Sequence, residues 1–198
     1  MTKYKEQQLH IQEPGTHAGT GKLYGHILPE GNKFANFLPP YRDAFLQSKE
    51  YPNIKLHPGF HHLNSSQVMC INFFYPLMKE NLLEKLLPAF HLPEQPVLRC
   101  EIEWKDELAR EEGTNFDFFM QLEDGKKLLF EVKYTEAEFD RKRVTANNLY
   151  ASHQQKYKDL YAKRLEGTLL PQFNTCENVL ANYQLFRNMS YVKVDNDD

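Results

Sequence analysis

In the stretch TNFDFFMQLEDGKKLLFEVKYTE, residues 114–136, three charges interrupt two apolar runs around a turn. Asp117 lies in the first run, and Glu131 and Lys133 lie in the second. Two carboxylates brought together suit a hard divalent cation such as Mg²⁺, which takes oxygen ligands and keeps several waters for itself and a substrate phosphate. The Val132 carbonyl, between Glu131 and Lys133, is a further candidate ligand. Such a cation acidifies its water and neutralises charge building on a phosphodiester. Lys133 would orient the attacking water or stabilise the pentavalent transition state. None of this follows unless the three side chains converge, so the hairpin's register decides it.

The turn sets that register. A two-residue Asp124-Gly125 loop would place Asp117 opposite Val132, and Glu131 and Lys133 would then lie on the other face of the sheet. It would also set Phe118 against Glu131, mixing charge into the apolar side. A three-residue loop, Glu123-Asp124-Gly125, reverses the parity. Loops of that length commonly end in a left-handed residue, a conformation glycine adopts without steric cost. Phe116 then faces Val132, Phe118 faces Phe130 and Met120 faces Leu128, leaving Asp117 opposite Glu131 with Lys133 two residues along. The apolar pattern thus selects the register that clusters the charges. Opposed like charges are destabilising unless something offsets them. A bound cation would do so. The plainer alternative is that Lys133 pairs with Asp117 or Glu131 at a wet sheet edge.

The elements that must position this hairpin read as one α/β domain over residues 1–198. The 198 residues are 41% hydrophobic and 13% aromatic, enough to bury a core. Net charge is −3 and the isoelectric point about 6.2, so there is no global electrostatic footprint for nucleic acid. Cys70, Cys100 and Cys176 are odd in number and far apart, which suits reduced thiols in the cytoplasm and disfavours a zinc module. The N-terminus lacks an apolar core of signal-peptide length, and no run approaches membrane-spanning length. Residues 1–60, rich in Gly, Pro and His, read as an irregular arm with a short helix at 40–48, and residues 61–194 as the core. A helix capped by Asn64 or Ser65 carries Val68, Met69, Ile71 and Phe74, and Pro76 should end or kink it. KENLLEKLLPAF reads as a second helix and PVLRCEIEW as a strand leading into the hairpin. Two further helices cover NNLYASHQQKYKDLYAKRL and CENVLANYQLFRNM.

D-x(13)-E-x-K across a hairpin, after a helix and a strand, resembles the PD-(D/E)XK nuclease superfamily with its restriction-endonuclease-like fold. More closely, HHLNSSQVMCINFFYPL, EGTNFDFF, FEVKYTE and YQLFRN together look like a family of bacterial restriction-endonuclease-like proteins. The match runs from about His61 to Asn188. Four ordered blocks carry far more weight than D…ExK alone. The resemblance implies a small mixed sheet flanked by helices and Mg²⁺-dependent hydrolysis of phosphodiesters, DNA being the expected substrate. Mn²⁺ would be able to substitute, and a homodimer stays open. Asp117 and Glu131 would be metal ligands and Lys133 the catalytic lysine. Glu103, or Glu101 on the same strand face, would be a further acid, and Gln67 would contact a metal-bound water. Phe116 stands where the motif has proline. After the YQLFRN helix the fold ordinarily adds a strand, for which only YVKVDNDD remains. The alternative is a catalytically degenerate domain on the same fold that binds nucleic acid or a protein.

Other patterns fail on inspection. GTHAGTGK, residues 15–22, lacks the first glycine of a phosphate loop and the hydroxyl after its lysine. His57, His61 and His62 have no ligand partners at convincing spacing, and His61 and His62 read as capping or packing residues ahead of the helix. Arg141-Lys142-Arg143 is the densest positive charge; it is either a solvated face or a grip on nucleic-acid phosphates, as are Lys156, Lys158, Lys163 and Arg164. Gln184 and Arg187 share a face of the late helix, where a glutamine would support the site. If Arg141, Lys142 and Arg143 hold the backbone, replacing all three should weaken binding alike across sequences and flatten its salt dependence. A binding titration over a range of salt concentrations measures this, and an unchanged slope returns them to a solvated face.

Overall fold

The computed structural model describes residues 1–105, 115–135 and 149–192. The elements in order are α1 (Thr2–Gln8), β1 (Gly15–Thr16), β2 (Leu23–Tyr24), α2 (Pro39–Leu46), α3 (Ser66–Lys79), β3 (Val97–Trp104), β4 (Phe116–Leu122) and β5 (Lys127–Phe130). They continue as α4 (Leu149–Lys156), α5 (Ala162–Arg164), α6 (Cys176–Ala181) and α7 (Tyr183–Met189). Contacts divide the chain into two units. The first is Met1–Lys105 with Asn115–Thr135, and the second is Asp106–Thr114 with Glu136–Asp198.

In the first unit, the turn between β4 and β5 has the three-residue form. The Leu122 N–H donates to the Lys126 carbonyl at 2.9 Å, and the Gly125 N–H donates to the Leu122 carbonyl at 3.0 Å. Gly125 sits at φ +85°, where a Cβ would be strained. Phe118 pairs with Phe130 and Met120 with Leu128, the register expected from the apolar pattern. β3 adds antiparallel to the other edge of β4, giving the order β3-β4-β5. The sheet expected to be mixed is therefore antiparallel throughout its described strands, as is the small β1-β2 pair. Consecutive strands joined by short connections produce antiparallel pairing; a parallel neighbour needs a crossover. Of YVKV, Tyr191 and Val192 lie outside any strand, and the rest lies outside the described residues.

The sheet buries one face against α3. Ser65 caps this helix by accepting the Val68 N–H at 3.3 Å. Val68, Ile71, Phe74 and Tyr75 recur at helical spacing and are buried with Ile102, Phe118, Met120 and Leu122. The Phe74 ring stacks on Phe118 at 3.8 Å and meets Phe130 edge-on at 5.1 Å. Pro76 does not end the helix, which runs on to Lys79. A missing N–H in the last turn costs one hydrogen bond and leaves the packed turns before it intact. KENLLEKLLPAF forms a 3₁₀ helix over Leu83–Phe90 rather than an α-helix. The residues before His61 are largely irregular, yet they contribute Phe37, Phe45 and Ile54 to the same core. Lys5, 1% exposed, fixes α1 by donating to the carbonyls of Glu13 at 2.7 Å and Ile27 at 3.2 Å.

In the second unit, α4 passes through a π-helical segment, Tyr157–Tyr161, into α5. The helix expected over CENVLANYQLFRNM is broken at Asn182, whose φ of −127° and ψ of 48° leave the helical region and separate α6 from α7. Tyr161, Leu165, Val179, Leu180, Tyr183 and Phe186 form a separate small core. Among the described residues no helix is long and apolar enough to cross a membrane.

Phe118→Ala should cost the first unit about 3–5 kcal/mol, since it removes a fully buried ring stacked on Phe74. Denaturant titration measures the loss. A cost below about 1 kcal/mol would mean that α3 is not seated on the sheet as described.

Candidate catalytic centre

Three acids cross the sheet in a row. The pairs Ile102↔Phe118 and Trp104↔Phe116 bracket Glu103 and Asp117 on adjacent strands. Phe130, opposite Phe118, is the last paired residue of β5, so Glu131 follows one step along the register that leads to Asp117. The backbone ladder stops there for a specific reason. The Val132 N–H donates to Asp117 Oδ2 at 2.6 Å, so a carboxylate rather than a backbone carbonyl takes this donor. A charge-assisted bond of this kind fixes the carboxylate's orientation and leaves Oδ1 as its other oxygen.

Lys133 Nζ lies 3.0 Å from Glu131 Oε1, and both side chains are mostly buried, at 24% and 17% exposure. Of the two partners that the charge pattern leaves open, Glu131 is the one in ion-pair contact. Glu101 is diverted: it accepts from Arg99 Nε at 2.6 Å at an exposed position. Glu103 is held differently. Gln67 Nε2 donates to its Oε1 at 2.7 Å, and Asn115 Nδ2 donates to its Oε2 at 3.2 Å. Glu103 also has φ +56°, a left-handed conformation that is strained for a residue with a side chain and persists only where the surroundings impose it. Gln67, expected at a metal-bound water, is engaged with protein at both ends of its amide. Its Oε1 accepts the His57 N–H at 2.8 Å, and its Nε2 also reaches the Lys55 carbonyl at 3.1 Å.

The electrostatics of this row are lopsided. Burial pushes the Asp117 carboxyl up from 3.8 to about 7, with the negative charge of Glu131 the next cause and that of Glu103 adding to it. The Val132 N–H and the Lys133 ammonium pull the other way and do not win. Cys70 on α3 registers the same field. Its Sγ donates to the Asp117 carbonyl at 3.4 Å, and burial followed by the charges of Asp117, Glu103 and Glu131 raises its thiol far above the usual range. A site with more negative charge than its surroundings can offset has the chemistry of a cation site. Among the described residues no group of three or more His, Cys, Asp or Glu side chains is arranged to hold a metal ion. Mg²⁺ demands less, since one or two carboxylates with waters and substrate oxygens suffice. The Asp117–Glu131 pair fits that requirement by donor type.

The family described as Restriction Endonuclease associating with ARP matches residues 1–198. The chain belongs to that family. No curated protein and no solved structure matches the chain. For a restriction-endonuclease family, the end of a hairpin carrying Asp117, Glu131 and Lys133 is where nuclease chemistry would be sought.

Other expected residues fall elsewhere. Gln184 is on α7 in the second unit. Arg141, Lys142 and Arg143 lie outside the described residues. Two contributors escaped the sequence reading. Asn115 precedes Asp117 by two and so shares its side of the strand, a spacing that could have signalled it. Cys70 reads from sequence only as one of three widely separated, reduced thiols. Asn64 also reaches the segment that follows Lys133, donating from Nδ2 to Thr135 Oγ1 at 3.0 Å.

The raised carboxyl makes stability depend on pH. An acid whose folded value lies above its unfolded one stabilises the fold below the unfolded value, and that contribution is lost as pH rises through the folded one. Metal-free protein should therefore lose stability steadily from about pH 4 and level off just above the Asp117 value of about 7. Asp117→Asn should remove this slope and be more stable by about 2 kcal/mol at the alkaline end, after discounting for partial solvation. Thermal melting across pH in chelator measures both. Parallel curves for the two proteins would place Asp117 in a solvated, unstrained setting.

Proposed function

We propose that the chain is a Mg²⁺-dependent endonuclease of the PD-(D/E)XK type that hydrolyses phosphodiester bonds in DNA, on a restriction-endonuclease-like core. The observation that carries this reading is the placement of Glu131 and Glu103 beside a buried Asp117, whose carboxyl is raised to about 7 by burial first and then by those charges, with a lysine alongside. Asp117 and Glu131, with the Val132 carbonyl, would hold the metal, and Mn²⁺ would substitute. When bound, Mg²⁺ supplies charge neutralisation at the phosphate and a more acidic water. The chain's own groups do the rest. The Val132 N–H orients the Asp117 carboxylate. Glu131 sets the Lys133 ammonium beside the metal-binding oxygens, where it would bind a non-bridging phosphate oxygen or steer the attacking water. Glu103, clamped by Gln67 and Asn115, adds negative charge at a fixed position, a positioning role rather than a step in the reaction.

A second reading has its own support. The 3.0 Å Lys133–Glu131 pair, with no three-residue metal group among the described residues, suits a nuclease fold that binds nucleic acid or a protein without cutting. The family description names association with ARP, which gives the protein-partner form of that reading a candidate.

Asp117→Asn separates the two. It should reduce Mg²⁺-dependent cleavage of plasmid and single-stranded substrates by about 1000-fold or more and remove stabilisation by Mg²⁺, while binding survives. Lys133→Ala should keep the metal-linked rise in melting temperature and lose turnover. Wild-type protein that neither melts higher with Mg²⁺ nor cuts any substrate would select the binding reading.

A further inference from the structure

Past Phe130 the second run of the hairpin leaves the ladder, so Lys133 lies in a segment without strand pairing. Such a segment keeps one geometry only if something other than the sheet holds it, because an unfixed backbone gains conformational entropy. One hold is the Val132 N–H on Asp117 Oδ2 at 2.6 Å, one residue before the lysine. A second lies two residues after it, where Asn64 Nδ2 donates to Thr135 Oγ1 at 3.0 Å. Lys133 therefore sits between two side-chain anchors, and its backbone swings away only by breaking one of them.

The donor of the second anchor is itself held. Ser65, not Asn64, caps α3, so the Asn64 amide is not spent on the helix end. On one side of Asn64 the Leu63 N–H donates to the His26 carbonyl at 3.0 Å, and on the other the Ser65 N–H donates to the His62 carbonyl at 3.1 Å. The same stretch meets the segment a second time, since Tyr134 lines one cavity with Leu63, Ser65 and Met69. Three residues after Asn64, Gln67 donates to Glu103 at 2.7 Å. The start of α3 thus grips both flanks of the acidic row, the glutamate through Gln67 and the lysine segment through Asn64.

We propose that Asn64 is a positioning residue for Lys133: by holding Thr135 it fixes the approach of the lysine to Glu131 and Asp117. A long, flexible side chain reaches many points from a loose backbone and few from a fixed one, and Lys133 Nζ is set 3.0 Å from Glu131 Oε1. The anchoring half of this inference stands by itself; the catalytic half rests on the nuclease reading. If Lys133 acts on a phosphate oxygen or on the attacking water, a shift of about 1 Å costs about 100-fold in rate. Asn64 acts through the backbone and supplies no metal ligand, so the loss belongs in kcat rather than in KM or in stabilisation by Mg²⁺.

The first test is independent of activity. Trypsin cuts after a lysine only where the chain opens locally. In chelator, Asn64→Ala should be cut after Lys133 about tenfold faster than wild type, read by mass spectrometry against cleavage elsewhere in the chain. With Mg²⁺ and plasmid its kcat should fall about 30- to 100-fold, KM should stay within about threefold, and the metal-linked rise in melting temperature should remain. Thr135→Ser keeps the hydroxyl and should behave as wild type, whereas Thr135→Val removes it and should reproduce both defects. The double variant Asn64→Ala/Thr135→Val should be no worse than either single one, because both break the same bond. If Asn64→Ala melts well below wild type, Thr135→Val decides alone, since it leaves the start of α3 intact. Unchanged tryptic cleavage after Lys133 overturns the proposal, whether or not the protein cuts DNA. So does wild-type kcat in a variant whose Lys133 segment has loosened. Loosening in a protein whose wild type never cuts keeps the anchor and rejects the nuclease.

Discussion

The hydrogen bond from the Val132 N–H to Asp117 Oδ2 organises the candidate site, because it replaces a rung of the sheet with a carboxylate. Up to Phe130 the hairpin is an ordinary antiparallel ladder. Beyond it the chain is held by a side chain, and Glu131, Val132 and Lys133 are released from strand pairing while staying close to Asp117. A carboxylate is a stronger acceptor than a peptide carbonyl, so the exchange does not weaken the end of the sheet. It does commit Asp117 to one orientation, and it does so where burial, and then the charges of Glu131 and Glu103, make ionisation unfavourable.

Helix α3 supports both the core and this row of acids, and its sequence interleaves the two tasks. Val68, Ile71, Phe74 and Tyr75 seat it on the sheet. Between them, Gln67 clamps Glu103 and Cys70 donates to the Asp117 backbone. The clamp explains how a glutamate tolerates φ +56°: two amides hold its carboxylate while the neighbouring pairs, Ile102↔Phe118 and Trp104↔Phe116, hold the strand on either side. The strain is imposed by packing and retained at an acidic position, a combination met most often where geometry matters for chemistry.

What could be read from the sequence was whatever depends on local parity. The loop length, the glycine at its end and the register of Phe118, Met120 and Phe130 follow from steric and apolar rules that act over a few residues. The cap at Ser65 and the apolar stripe of α3 are of the same kind. Contacts that depend on long-range packing were not legible. Nothing local announces that Gln67 would meet Glu103 across 36 residues, or that the irregular first sixty residues would deliver Phe37, Phe45 and Ile54 to the main core. Helix type was also misjudged where proline and packing compete, as over Leu83–Phe90, and where a single residue, Asn182, leaves the helical region.

The ion pair between Lys133 and Glu131 and the raised carboxyl of Asp117 describe one balance rather than two facts. In the absence of a cation, Lys133 is the positive charge nearest to hand, and it offsets Glu131 without bringing Asp117 down to the ordinary carboxylate range. A divalent ion at the same oxygens would carry twice the charge and take over that compensation. Lys133 would then be freed towards any anion beside the metal, the position from which it would act on a phosphate or on the water attacking it. The same residues therefore make sense as a resting ion pair and as a reaction centre, and which state prevails is set by whether a cation binds more tightly than one ammonium does. Burial at Asp117 would suit such an exchange, because a carboxyl near 7 would give up its proton to a cation at neutral pH at little cost.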